Sequence, residues 1–200
     1  MNKLYIDSNQ LMVDSYQLAI NIYESGWRPD FIVGVWRGGC PVGIAVQEVF
    51  EYLGVSTDHI AIRTSSYAGI GERSRSVRVH GLNYLVERLQ KDQSVLIVDD
   101  IHDTGLSIDQ TINELRAHCG EKNIAIKIAT PYYKPDNNQT TRVPDYFLHS
   151  TDQWVVFPHE LAGLTDDEII EHKPGIDKVK LHLLALKKNS ATQLIKSAQS

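Results

Sequence analysis

The chain has 200 residues, of which 42% are hydrophobic and 22% are charged, and its formal net charge is −5 at pH 7. This composition is that of an ordinary globular protein, and the charge argues against a nucleic-acid partner bound through a broad basic face. No uninterrupted apolar stretch approaches the roughly 18 residues that a membrane-spanning helix needs, so no membrane partner is expected either.

Segments with helical and strand periodicity alternate along the chain. The spacing of apolar residues predicts helices over 9–25, 42–53 and 108–119. Glycines follow these helices at Gly26, Gly54 and Gly120. Short apolar or alternating runs predict strands over 31–35, 59–64, 94–98 and 123–130. Strands separated by helices favour parallel pairing, so we expect an α/β fold with a mainly parallel sheet flanked by helices.

Two segments depart from this alternation. Residues 64–80 are polar, contain two glycines, and carry Arg73, Arg75 and Arg78 against a single acid. They predict a long irregular loop, which in a compact domain is usually functional or mobile, although a solvated loop is the plainer alternative. Residues 161–200 are partly amphipathic and predict a helical C-terminal appendage, frayed at its end, to a domain spanning residues 1–160.

The chain start and the cysteines bear on the compartment. The first ten residues contain no apolar segment, so we expect no signal peptide. Cys40 and Cys119 stand alone, without metal-ligand spacing. Two isolated thiols suit a reducing cytoplasm, and a structural disulfide is not expected.

The turn after the predicted strand 94–98 has the features of a phosphate site. Ligands of open parallel sheets bind beyond the carboxyl ends of the strands, where residues 103–107 lead into a helix. The backbone N–H groups of such a turn, with the helix dipole, can bind a phosphate without a basic side chain. The hydroxyls of Thr104 and Ser107 can donate to it, and Gly105 permits a close backbone approach.

The acids in the same loop suit another part of the ligand. Asp99 and Asp100 can accept hydrogen bonds from vicinal hydroxyls and can hold a divalent metal through water. A phosphate next to a diol describes a ribose 5-phosphate. The plainer alternative is a helix N-cap beside a solvated carboxylate.

The segment VLIVDDIHDTGLS, residues 95–107, resembles the phosphoribosyl-pyrophosphate signature of the type I phosphoribosyltransferases. Four further segments resemble this family, in the family's order. VWRGGCPVG (35–43) is similar to its first pyrophosphate loop, SSY (65–67) to the start of its flexible catalytic loop, and PYYKP (131–135) to its lysine-bearing segment. WVVFPHE (154–160) is similar to the purine-contacting segment of the 6-oxopurine subgroup. The resemblance spans about residues 28–160.

The resemblance implies transfer of phosphoribose from phosphoribosyl pyrophosphate to a free purine base, with Mg²⁺, in a homodimer that has a small hood over the base site. It places phosphoribosyl pyrophosphate on Arg37, Gly38, Gly39, Ser66, Tyr67, Asp99, Asp100, Asp103, Thr104, Gly105, Leu106 and Ser107. Asp99 and Asp100 would hold the ribose hydroxyls and lie by the metal, and Asp103 would accept a proton from the purine. Lys134, Trp154 and Val155 would bind the base. The family's non-proline cis peptide would fall at Trp36–Arg37.

The chain departs from the subgroup at two points. His159 stands where the subgroup often has tryptophan. Residues 155–175 contain no arginine, so the grip on pyrophosphate that some members obtain there would fall to Arg37 and the 64–80 segment.

Plainer explanations exist for single features, and other functions remain open. The glycines after residue 36 could form a simple turn, Lys134 could be a surface lysine, and Trp154 could be a core or edge aromatic. A protein that binds phosphoribosyl pyrophosphate or a nucleotide for regulation could keep 99–107 without base transfer. Transfer to a pyrimidine or orotate-like base is a third possibility, which the 154–158 segment disfavours.

Overall fold

The computed structural model describes residues 2–68, 75–176, 179–187 and 189. Their contacts divide the chain into a larger unit, residues 9–153, and a smaller unit formed by residues 1–8 and 154–200. Among the described residues, no helix combines the length and the apolar character needed to cross a membrane.

Strands and helices alternate through most of the chain. The strands are β1 (Lys3–Tyr5), β2 (Phe31–Trp36), β3 (Asp58–Ala68), β4 (Arg75–His80), β5 (Ser94–Val98), β6 (Ile101–His102), β7 (Ala125–Tyr133), β8 (Tyr146–Ser150) and β9 (Trp154–Val156). The α-helices are α1 (Ser8–Glu24), α2 (Gly39–Tyr52), α3 (Leu82–Arg88), α4 (Leu106–Cys119) and α5 (Asp166–His172). Residues 179–187 are also helical. The four strands and three helices expected from the sequence are all present, with β3 and β7 longer than expected.

The larger unit is built on a seven-stranded sheet in the order β4-β3-β2-β5-β7, with β6 and β8 both paired to β7. All its pairs are parallel except β3 with β4. Gly34 of β2 lies opposite Val98 of β5, and Val98 lies opposite Ala129 of β7. This register brings the carboxyl ends of three neighbouring strands to one edge of the sheet.

Both faces of the central strands are covered. Val33, Val95 and Ile97 belong to a buried cluster that also includes residues of α3 and α4. The alternate residues, such as Ile32 and Leu96, point to the other face and are equally buried. The α/β fold with a mainly parallel sheet flanked by helices is therefore confirmed.

The prediction of an irregular loop over 64–80 is wrong for most of its length. β3 and β4 form an antiparallel pair that runs from Arg63 opposite His80 to Ala68 opposite Arg75. The half-buried Val77 and Val79 alternate with exposed residues, the period-two pattern of a strand with one covered face. The arginine and glycine content hid this pattern. Residues 69–74, including Arg73, lie outside the described residues.

The smaller unit joins the start of the chain to its later part. β1 pairs in parallel with β9, with Lys3 opposite Trp154 and Tyr5 opposite Val156. A capping box between Thr165 and Glu168 begins α5. Hydrogen bonds from Lys3, the Thr165 amide and Tyr5 lower the pKa of Glu168 to about 2.

The contacts divide the chain between residues 153 and 154, and the domain boundary expected after residue 160 stays a prediction. The contacts thus group the first residues of the chain with 154–200. The assignment of 161–200 as a separate appendage stays a prediction.

The buried centre of β5 should dominate the stability of the larger unit. Ile97 is fully buried, so Ile97→Ala should lower the free energy of unfolding by about 2–5 kcal/mol through lost burial and a residual cavity. Ile44 in α2 is 64% exposed, and Ile44→Ala should change it by less than about 0.5 kcal/mol. Urea unfolding followed by circular dichroism measures both, and equal losses would contradict the burial described for β5.

Candidate active site

Three loops meet at the edge where β2, β5 and β7 end. They begin at Arg37 after β2, at Asp99 after β5 and at Lys134 after β7. Three main-chain hydrogen bonds join residues 99–102 to β7 and the residue after it. The Asp99 N–H donates to the Ala129 carbonyl at 3.2 Å, the Tyr132 N–H to the Asp100 carbonyl at 3.3 Å, and the Lys134 N–H to the His102 carbonyl at 2.9 Å. The sheet register therefore assembles residues that lie far apart in the sequence.

Gly38 and Gly39 allow the start of α2 to lie against the end of β5. A Cβ atom on Gly38 would lie 2.0 Å from an Asp100 carboxylate oxygen, and one on Gly39 would lie 2.3 Å from the Val98 carbonyl oxygen. Real Cβ atoms do not approach other atoms this closely. The peptide bond between Trp36 and Arg37 is cis, as predicted, and residues 37–38 form a turn between β2 and α2.

The two acids after β5 form a close carboxylate pair. Asp100 is buried, and its N–H donates to the Asp99 carboxylate at 3.0 Å. Burial and the negative charge of Asp100 raise the pKa of Asp99 well above its ordinary range. A cation in front of this pair would relieve the repulsion between them.

The acid pair suits a metal that arrives with its ligand. Among the described residues, no cluster of three or more histidine, cysteine or acidic side chains could hold a metal ion. Mg²⁺ commonly uses one or two carboxylates together with waters and substrate phosphates. Asp99 and Asp100 fit that pattern.

The turn at residues 103–107 has the backbone form expected of a phosphate site. Gly105 has a φ of +75°, a left-handed conformation that favours glycine, and α4 begins directly after it. A Cβ atom there would lie 2.7 Å from the His102 ring nitrogen Nε2 and 2.9 Å from the side-chain oxygens of Asn138 and Thr140. The turn borders a cavity of about 90 Å³. This cavity is lined by Asp99, Ile101, His102, Asp103, Thr104, Gly105, Ser107 and Ile108.

Asp103 and Lys134 form an ion pair across the loops after β5 and β7. The Lys134 ammonium lies 3.5 Å from one Asp103 carboxylate oxygen, and the Asn137 amide donates to the other at 2.5 Å. Lys134 is only 9% exposed, so it is not a surface lysine. Asp103 thus places an opposite charge beside a buried ammonium.

The sequence alone did not indicate which residues contact and support these loops. His102 is buried, and burial lowers the pKa of its imidazole, an effect that Asn138 and the Arg142 main chain oppose. The Gln139 N–H donates to the Thr104 carbonyl at 2.9 Å, and Asn137 contacts Asp103. The polar run after Lys134 is the sequence signal for this support, but it does not indicate which loop those residues contact.

Four further predicted site residues lie in β3 and β9. Ser66 and Tyr67 belong to β3, but their side chains lie outside the described part of the structure, so their contact with pyrophosphate stays a prediction. Trp154 and Val155 belong to β9 of the smaller unit. Trp154 is 53% exposed and therefore not a core aromatic, whereas Val155 is buried. Their contact with a base also stays a prediction.

Comparison with protein families finds one family that matches most of the chain, including these loops. Residues 5–163 match the family described as the phosphoribosyl transferase domain. The comparison with curated proteins finds no match.

Several solved structures share the fold. A purine phosphoribosyltransferase from Pyrococcus horikoshii Ot3 is 31% identical, with a TM-score of 0.62, over 82% of this chain and 99% of that one. A hypothetical protein from Neisseria gonorrhoeae with bound ppGpp is 18% identical, with a TM-score of 0.65, over 86% and 96% of the two chains. The Helicobacter pylori xanthine-guanine-hypoxanthine phosphoribosyltransferase is 18% identical, with a TM-score of 0.60, over 78% and 92%.

The glycine contact with β5 can be tested by adding one methyl group. Gly39→Ala should lower the free energy of unfolding by about 1–3 kcal/mol, because the new Cβ would meet main-chain atoms that cannot rotate away. Gly43→Ala in the same helix is the matched control, since its nearest neighbour would lie at an ordinary 3.6 Å. Urea unfolding should show the control unchanged or slightly stabilised. Equal behaviour of the two variants would count against the close contact.

Proposed function

The chain belongs to the phosphoribosyl transferase domain family, and on that premise we propose that it transfers 5-phosphoribose from phosphoribosyl pyrophosphate to a 6-oxopurine base. The base would be hypoxanthine, guanine or xanthine, in a cytoplasmic reaction of purine salvage. The observation that carries the choice of base is the buried Lys134 paired with Asp103 at the end of β7. A lysine can only donate hydrogen bonds, so it suits a carbonyl oxygen on the purine.

The larger unit offers a separate contact for each part of phosphoribosyl pyrophosphate. The 103–107 turn would bind the 5′-phosphate through backbone N–H groups and the hydroxyls of Thr104 and Ser107. The ribose hydroxyls would donate to Asp99 and Asp100. Arg37 is exposed beside the glycine pair and would bind the pyrophosphate, where a fork of N–H donors is effective.

Asp99 and Asp100 would also hold Mg²⁺ through water. When bound, the ion would neutralise charge that develops on the leaving pyrophosphate. The carboxylates themselves would lie near the positive charge that develops on the sugar ring.

The transfer is a displacement at C1′ of the sugar. The bond from C1′ to the pyrophosphate oxygen breaks as a bond from C1′ to a purine ring nitrogen forms, and the purine gives up one ring proton. Asp103 would accept that proton. Its contacts with Lys134 and Asn137 fix the carboxylate in one orientation, and binding of the remote 5′-phosphate would position the reacting carbon.

The base would also meet the segment that includes β9. Trp154, half-exposed in this structure, would stack on the purine, and the Val155 backbone would contact its edge. The homodimer that the family resemblance implies stays a prediction, which sedimentation would test.

A regulatory protein that binds phosphoribosyl pyrophosphate or a nucleotide is the second candidate. The Neisseria gonorrhoeae structure of similar fold holds ppGpp, and this observation favours keeping the second candidate. The two functions differ in one measurable respect, because only the enzyme releases pyrophosphate when a base is present.

The proposed reaction is tested by pyrophosphate release with phosphoribosyl pyrophosphate, Mg²⁺ and a panel of free bases. Release should require both the base and the metal, and EDTA should abolish it.

Asp103→Asn should lower kcat by roughly 10²-fold if Asp103 is the general base. The exposed Asp136→Asn is the matched control and should retain activity. Binding of phosphoribosyl pyrophosphate or ppGpp without release for any base would favour the regulatory protein.

The choice of base is tested by comparing two contacts of different chemistry. Lys134→Ala should lower kcat/KM for the three oxopurines by roughly 10- to 100-fold, the value of a charged hydrogen bond, and should narrow their lead over adenine. Trp154→Ala should weaken all purines together, because stacking tolerates any base. Lys127→Ala, a lysine at the other end of β7, is the matched control and should keep wild-type selectivity. A wild type that prefers adenine would refute the oxopurine assignment.

A further inference from the structure

Two oppositely charged side chains hold the backbone of one residue directly after β9. The Phe157 N–H donates to the Glu160 carboxylate at 3.1 Å. The Lys173 ammonium donates to the Phe157 carbonyl at 2.5 Å, and the Glu160 N–H donates to the same carbonyl at 3.0 Å. All three residues belong to the smaller unit. Both polar groups of a single backbone residue are thus fixed by charged side chains.

Lys173 and Glu160 together form a clamp on the backbone of Phe157. The lysine of this clamp lies in a buried position that is unfavourable for a charge. Lys173 is 5% exposed, and burial lowers the pKa of its ammonium, an effect that the nearby Glu160 carboxylate opposes. An uncharged side chain of similar length would fill the same space without the desolvation penalty. The contact with the Phe157 carbonyl is therefore the specific interaction that the charge provides.

The clamp fixes the end of a short strand. β9 has only three residues, Trp154–Val156, and Phe157 follows it directly with 2% of its surface exposed. The Ile6 N–H donates to the Val156 carbonyl at 3.0 Å, which extends the pairing with β1 by one residue. A strand this short has few hydrogen bonds of its own, so a fixed residue at its end determines where its backbone lies.

Lys173 does not replace the arginine that this part of the chain lacks. It is too buried to meet a ligand, and its ammonium donates to the main chain. It contacts Phe157, the residue that directly follows Val156. Lys173 therefore supports residues 154–157, here called the base-binding segment, and does not bind pyrophosphate.

We propose that Lys173 and Glu160 are positioning residues that fix the backbone of the base-binding segment, so that affinity for the purine depends on a clamp that does not touch it. The proposal rests on the proposed function for its connection to the base. The His159 ring lies parallel to the Phe157 ring, with ring centroids 5.7 Å apart, and His159 directly precedes Glu160 in the sequence. The segment is thereby supported from the main chain and from the face of Phe157.

The test compares Lys173→Met with Lys180→Met. Both remove an ammonium that donates to a main-chain carbonyl of the smaller unit, but the contact of Lys180 with Ile170 is exposed and 3.3 Å long. Lys173→Met should raise KM for the purine by about 10-fold or more, because a small misplacement of a binding segment is costly, and should leave KM for phosphoribosyl pyrophosphate within about 2-fold. Lys180→Met should change neither constant.

Glu160→Ala provides a second variant, since Glu160 is partly exposed and its loss is easier to tolerate in folding. It removes the acceptor of the Phe157 N–H and should give the same split between the two KM values. Unchanged KM for the purine in both variants, or equal rises for both substrates, would overturn the proposal.

Amide hydrogen exchange separates this proposal from the proposed function. Exchange at residues 155–157 should accelerate in Lys173→Met and Glu160→Ala and remain unchanged in β5, whether or not a base is transferred. If the wild type transfers no base, the proposed function fails. If exchange at residues 155–157 does not accelerate, the clamp itself is refuted, even in an active enzyme.

Discussion

The contact between the Gly38–Gly39 pair and the end of β5 is the constraint on which the rest of the larger unit depends. Side chains at these positions would overlap Asp100 and the Val98 carbonyl, so the first turn of α2 lies against the strand only because they are absent. This contact places the loop that begins at Arg37 against the loop that carries Asp99 and Asp100. A ligand that reaches both loops therefore meets a cation and two carboxylates within one short span.

In the proposed site, the N–H donors and the carboxylates would bind different parts of the ligand. In the proposed function, a chain with a net charge of −5 would bind an anionic ligand here through backbone N–H groups and a helix terminus rather than through a basic cluster. The acids are then available for hydroxyl groups and for a cation that accompanies the ligand. Burial, together with the negative charge of Asp100, raises the pKa of Asp99, and a cation beside the pair would favour its charged form.

The local parts of this arrangement could be predicted from the sequence, and the non-local parts could not. The strand 94–98, the turn around Gly105 and the lysine after β7 each follow from a short run of residues. The support of Asp103 by Asn137 depends on two loops that only the sheet brings together. Helix α3 has only seven residues, too few for its periodicity to be recognised. Val77 and Val79 alternate with exposed residues, but the arginine and glycine content of the segment favoured a loop instead of a strand.

The pairing of β1 with β9 also has a consequence for how the chain is made. Lys3 emerges from the ribosome 151 residues before Trp154, its partner. At typical synthesis rates of about 5–20 residues per second, β1 is without that partner for about 8–30 s, while the segment that forms the larger unit is completed between them. The β1–β9 pair can therefore form only after the segment of the larger unit has been synthesised.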